Sequence, residues 1–218
     1  MQTRTVLFDL DGTLIDSLPG IEFSVDRSLA ECGLPQRSLE LRPLIGPPIR
    51  SIFSQLVPDA DEQDLSRLEQ AFRFSYDSTG WLKTVVAENA LDTMRAFHNA
   101  GLQLFVVTNK PSGATRQILE WLGIWELFVD VLCRNSRTPP FESKSAMLRH
   151  LLDVHQLEPG ECLYVGDTAE DYRAATEVHM PVAIVSYGYG VTNAAYPECI
   201  HLDNLRELLT IVETMEMS

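Results

Sequence analysis

The chain has 218 residues, enough for one large domain or for a core domain with a small insert. Hydrophobic residues (45%) and charged residues (22%) stand in ordinary globular proportions, and 17 basic against 31 acidic residues give a formal net charge of -14, which repels polyphosphate backbones and argues against nucleic acid as a partner. Cys32, Cys133, Cys162 and Cys199 are too scattered for a zinc site or a disulfide framework, and no signal peptide or run of membrane-spanning length is present, so the expectation is a cytoplasmic protein without membrane contact.

Val6-Leu7-Phe8 reads as a buried strand that stops at Asp9, with a Gly12-Thr13 turn after it. From about Leu18 to Gly80 the pattern is helical. Pro19, Ile21, Val25 and Leu29 precede Gly33; an apolar stretch runs from Leu44 to Val57; an amphipathic run spans Asp61 to Tyr76. A helix carrying Leu91, Met94 and Phe97 then closes at Gly101, and the strand Leu104–Val107 ends at Thr108-Asn109. Ile118, Leu119 and Leu122 mark a helix closed by Gly123, and Val129–Leu132 marks a strand ending near Arg134. Ser143 can cap a helix with Met147, Leu148, Leu151 and Leu152 on one face. Leu163-Tyr164-Val165 runs into Gly166-Asp167, Val182–Val185 runs into Ser186-Tyr187-Gly188, and a last helix begins near Asp203 or Asn204.

Short apolar strands alternating with helices predict an α/β fold: a Rossmann-like parallel sheet with helices on both faces, plus a small α-helical cap inserted after the first strand. The core is expected over residues 1–17 and 81–218, and the cap over 18–80. Ligands of such sheets bind beyond the carboxyl ends of the strands, where Asp9, Thr108 and Asp167 all fall.

The nonapeptide Asp9-Leu10-Asp11-Gly12-Thr13-Leu14-Ile15-Asp16-Ser17 is the strongest chemical signal. Residues two apart on a strand point the same way, so Asp9 and Asp11 can stand side by side as the strand opens into a turn. One can act as nucleophile and the other as general acid and base. Two close carboxylates repel one another, and a divalent cation relieves that repulsion; a few hard oxygen ligands suit Mg2+.

This nonapeptide resembles the first motif of the haloacid dehalogenase superfamily, in its phosphoglycolate phosphatase-like branch, and the likeness extends over nearly the whole chain. The resemblance implies that Asp9 attacks phosphorus and becomes an aspartyl phosphate. Asp11 protonates the leaving oxygen, later deprotonates water, and lends its backbone carbonyl to the metal. Family members that cleave carbon–halogen bonds lack this second aspartate.

Thr108-Asn109 resembles the second motif, a hydroxyl and backbone N–H groups that hold a phosphoryl oxygen. Lys144 is the choice for the third, with Arg134 and Arg137 as runners-up, because the family's usual lysine-proline pattern is replaced here by Arg137-Thr138-Pro139-Pro140-Phe141-Glu142-Ser143-Lys144. Gly166-Asp167-Thr168-Ala169-Glu170-Asp171 resembles the fourth motif. It implies Asp167 as a metal ligand with Asp9 and Asp11, and Asp171 as support behind them, although acids also favour any helix start. Arg42–Arg50 resembles a substrate-facing cap loop, with Gly46 and Arg50 as substrate contacts or, equally, a structural turn beside a surface arginine. Ser186–Gly190 is taken as structural.

The expectation is a Mg2+-dependent phosphatase for a small phosphorylated metabolite, working as a monomer or homodimer. The alternatives are a sugar phosphomutase of the same superfamily and a catalytically silent binding protein. Thr13, where the sugar mutases commonly carry a smaller apolar residue, leans towards hydrolysis.

Overall fold

Six parallel strands line up in the order β5-β4-β1-β6-β7-β8 in the computed structural model, which describes residues 3–190, Tyr196 and 199–216. They are β1 (Thr5–Phe8), β4 (Gln103–Thr108), β5 (Asp130–Cys133), β6 (Cys162–Gly166), β7 (Val182–Val185) and β8 (Ile200–Leu202). Every residue of β1, β6 and β7 is buried, as strands covered on both faces must be. The crossovers carry α4 (Ala90–Asn99), α5 (Ser112–Trp121), α6 (Lys144–His155) and α7 (Ala169–Glu177), and α8 (Glu207–Glu216) follows the sheet. The α/β Rossmann-like reading is correct. The alternation did not foretell β8, because Ile200-His201-Leu202 is too short to show a period.

The chain divides into two compact units, residues 1–15 with 86–218, and residues 16–85. The core of the first gathers Leu7, Phe105, Val107, Met147, Leu148 and Tyr164 between sheet and helices. The second contains α1 (Leu18–Glu31), α2 (Ile49–Leu56) and α3 (Glu62–Ser78). Val25, Leu29, Ile52, Phe53, Leu65 and Leu68 close its own apolar centre. Asp61 caps α3 by accepting the N–H groups of Gln63 and Asp64, each at 2.8 Å. The chain passes between the units through two two-residue strands, β2 (Ile15–Asp16) and β3 (Val85–Val86), which pair with each other.

Register places the chemistry. Phe8, the last residue of β1, lies opposite Val106 of β4 on one side and Val165 of β6 on the other. The residues that follow these positions, Asp9, Thr108 and Asp167, therefore emerge together at one edge of the sheet. No helix among the described residues is long and apolar enough to cross a membrane.

Candidate active site

Asp9 extends the ladder one step past β1, its N–H donating to the Val165 carbonyl at 2.9 Å. The chain then turns sharply: Leu14 and Ile15 return N–H groups to the Leu10 carbonyl at 3.0 and 3.1 Å, and Gly12 adopts a φ of 85°. That positive φ costs a residue with a Cβ but not glycine. Asp11 leaves this turn toward Lys110, whose Nζ lies 3.0 and 3.2 Å from its two carboxylate oxygens.

Two helix starts supply the other groups. Ser143 caps α6 by accepting the Ala146 N–H at 3.1 Å, which fixes Lys144 at the first turn. The Lys144 side chain is buried, with Nζ 2.6 Å from Asp171 Oδ1 and 3.1 Å from Asp9 Oδ1. Thr168 and Asp171 form a capping box at the start of α7. Asp171 is saturated: one oxygen takes Lys144 and the Tyr164 hydroxyl (2.8 Å), and the other takes the Thr168 hydroxyl (2.6 Å) and N–H (3.0 Å). Carboxylate oxygens of Asp9, Asp167 and Asp171 all lie within 4.8 Å of one another.

The Lys144 ammonium pairs with two of these three buried carboxylates, and the crowding of the acids sets their proton affinities. Burial, with the charges of Asp171 and Asp11 added, pushes Asp9 up to about 7 against the pull of Lys144. Burial and the charges of Asp171 and Asp9 push Asp167 up to about 8. Asp171 goes the other way: the Lys144 ammonium and the hydroxyls of Thr168 and Tyr164 outweigh the effect of burial. Lys144 itself is held firmly protonated, its burial outweighed by Asp171 and Asp9.

Asp9 Oδ1 and Asp167 Oδ1 are buried yet have no hydrogen-bond partner; Lys144 approaches Asp9 Oδ1 to ion-pair distance without hydrogen-bond alignment. Orphaned buried oxygens of two neighbouring carboxylates, with negative charge in excess, are the donor set of a hard divalent cation, so the residues present fit a metal.

Residues 6–185 match the family described as haloacid dehalogenase-like hydrolase. The chain belongs to that family. Within it the likeness is to the phosphoglycolate phosphatase branch. Phosphoglycolate phosphatases of Vibrio vulnificus and Photobacterium profundum are each 31% identical to it, the first over 97% of this chain and 96% of its own, the second over 96% of each. A solved structure from Haemophilus somnus, described as a predicted phosphoglycolate phosphatase, superposes with a TM-score of 0.88 at 28% identity, covering 97% of this chain and 98% of its own.

Against the motifs of this haloacid dehalogenase-like hydrolase family, the cations sort themselves by reach. Lys144 lies beside Asp9, whereas Arg134 donates to the Glu142 carbonyl at 3.2 Å and Arg137 stacks 4.1 Å over the Phe141 ring. Thr108 is buried at the end of β4, its hydroxyl accepting the Lys110 N–H at 3.2 Å. The Asn109 amide donates to Glu170 Oε2 at 2.9 Å. Gly46 and Arg50 lie in the second unit; Gly46 is exposed at φ 126°, and the Arg50 guanidinium is paired with Glu62 and Glu69.

The sequence reading singles out neither Lys110 nor Tyr164. A lysine directly after Thr108-Asn109 looks like an ordinary residue following a strand. The tyrosine does carry a signal, because a phenol in a fully buried strand needs a polar partner, and Asp171 is that partner.

The raised proton affinities of Asp9 and Asp167 predict how the metal-free protein responds to pH. Both stand above the 3.8 of a free aspartate, so the folded state holds protons that the unfolded chain releases. The contribution of these two acids to stability is then full below about pH 4 and is lost as pH rises to about 8. In chelator the melting temperature is expected to drop by roughly 5 °C or more between pH 5.5 and 8.5, and Mg2+ should restore most at the alkaline end. A flat profile in chelator, read by circular dichroism, contradicts this account of the acids.

Proposed function

We propose that this chain is a magnesium-dependent phosphatase of small phosphate monoesters, phosphoglycolate or a sugar phosphate in kind, acting through an aspartyl phosphate on Asp9. The observation that carries this reading is the Asp9 carboxylate: buried, without a hydrogen bond at Oδ1, 3.1 Å from the Lys144 ammonium, and near the Asp167 carboxylate, whose Oδ1 also has no hydrogen-bond partner. Near full-length likeness to phosphoglycolate phosphatases supports the reaction class.

Asp9 attacks phosphorus, the ester P–O bond breaks, and its electron pair leaves on the substrate oxygen, which takes a proton from Asp11. Water then attacks the aspartyl phosphate, gives its proton to Asp11, and inorganic phosphate leaves with the Asp9 carboxylate restored. Lys144 offsets charge on Asp9 and on the phosphoryl oxygens in both steps, while the Thr108 hydroxyl and the backbone N–H of Asn109 hold those oxygens. Asp9, Asp167 and the Asp11 carbonyl would hold Mg2+, with Asp171 orienting Lys144 behind them; a bound ion would supply charge neutralisation for the phosphoryl oxygens and for the neighbouring acids. Asp11, now held by Lys110, has to be shared between that ammonium and the substrate. Residues 18–80 act as a helical cap that selects the substrate, with Gly46 and, in the first turn of α2, Arg50 as its contacts.

The test is a panel of phosphorylated metabolites assayed for phosphate release with Mg2+ and with chelator. Release from at least one, lost in chelator, is expected. An isomeric sugar phosphate with no free phosphate makes the chain a mutase instead, and inertness across the panel makes it a silent member of its family.

A further inference from the structure

The segment Ser186-Tyr187-Gly188-Tyr189-Gly190, read from sequence as structural, is bonded both to Asp167 and to the turn that follows Asp9. The Tyr187 hydroxyl donates to the Thr13 carbonyl at 2.7 Å, holding the turn that carries Asp9 and Asp11. The Tyr189 N–H donates to Asp167 Oδ2 at 2.6 Å. Between these two bonds the backbone is pressed against the Asp167 side chain. A methyl group added at Gly188 would overlap Asp167 Cβ and Oδ2 and lie 2.7 Å from its Cγ. One added at Gly190 would overlap the Asp167 carbonyl oxygen and lie 3.0 Å from Thr168 Cα. Gly12 packs on the same carboxylate: a methyl group there would overlap Asp167 Oδ2 and lie 2.7 Å from its Cγ. The φ of Gly188 is not in the left-handed region, so contact alone, and not backbone conformation, calls for glycine there.

We propose that residues 186–190 are a positioning clamp: they fix which oxygen of Asp167 faces the acid cluster and how far that oxygen stands from Asp9. The clamp occupies Oδ2 with a backbone N–H and leaves Oδ1, buried and without a hydrogen-bond partner, as the ligand atom. Through Tyr187 the same five residues are bonded to the first turn, so the Asp9 and Asp167 segments share one brace in addition to the sheet. A ligand atom displaced by a fraction of an ångström loses affinity, which is why groups behind metal ligands commonly matter about 10- to 100-fold. The clamp therefore acts on metal affinity before it acts on chemistry. It rests on the reading of Asp167 as a metal ligand.

The experiment measures Mn2+ binding by electron paramagnetic resonance, and Mg2+ binding by calorimetry, on the full chain without substrate. Wild type is compared with Asp167→Asn, Gly188→Ala and Tyr187→Phe. Asp167→Asn should abolish binding. Gly188→Ala should weaken it at least about tenfold with an unchanged circular dichroism spectrum. Tyr187→Phe, which adds no volume and removes one hydrogen bond, should weaken it about threefold and serves if the alanine variant does not fold. If Asp167→Asn binds like wild type, the assignment of Asp167 fails and the clamp with it. If Asp167→Asn loses binding while Tyr187→Phe and any folded Gly188→Ala stay within about twofold of wild type, the clamp alone is overturned, even if their melting temperatures fall.

Discussion

Replacing Asp9 by asparagine is expected to lower phosphate release by about 10⁴-fold or more while leaving the fold intact, because the substitution removes the attacking oxygen and almost nothing else. Asn is nearly isosteric with Asp, and the backbone bond from residue 9 to the Val165 carbonyl is untouched. The second readout separates chemistry from folding. Burial raises the proton affinity of Asp9 despite Lys144 nearby, so the ionised form is disfavoured where it stands. A neutral amide there should not destabilise the metal-free protein at pH 8, and Lys144 keeps its shorter contact to Asp171. Mg2+ should stabilise the variant much less than wild type, since one ligand has lost its charge. Activity above about one part in a hundred of wild type, in protein free of deamidated material, counts decisively against Asp9 as the nucleophile.

Why so much of this edge could be read in advance is a matter of period. Strands covered on both faces leave short apolar runs, and a carboxylate or hydroxyl directly after such a run stands at a strand end with little freedom to be elsewhere. Asp9 after Val6–Phe8 and Asp167 after Leu163–Gly166 are of this kind. Lys144 was legible through Ser143, since a capping serine fixes where the helix starts even though the family's usual prolines are missing. What could not be read depends on contacts between distant segments. That Lys110 pairs with Asp11, 99 positions away, has no local sign. Nor does the use of Arg50 by Glu62 and Glu69, which needs α2 and α3 to be packed together first. The loop 186–190 is the sharpest case: sequence reasoning assigns it no role beyond a structural one, and only the position of Asp167 reveals that its glycines are needed for space.

Lys144→Met carries the other large effect, and it reaches stability as well as rate. The side chain keeps its length and loses the ammonium that pairs with Asp9 and Asp171. Breaking a buried ion pair from one side leaves an uncompensated charge and typically costs about 3–5 kcal/mol. Asp171 retains its bonds from Tyr164 and Thr168, so the smaller end of that range applies first. The pH dependence identifies the cause. In wild type the Lys144 ammonium overrides burial and holds Asp171 below its ordinary value. Without it burial prevails, the folded state gains affinity for a proton, and stability falls as pH rises. The variant should therefore lose more stability at pH 8 than at pH 5.5, measured by urea unfolding in chelator. Phosphate release should fall by about 10³-fold or more even where the variant is fully folded, because charge on the phosphoryl oxygens is no longer offset. Lys144→Arg keeps the charge but offers a planar fork to a site shaped for a compact ammonium, so it should restore stability more than rate. An equal loss of stability at both pH values points to packing and not to charge, and a folded Lys144→Met enzyme with more than about a tenth of wild-type turnover removes Lys144 from the reaction.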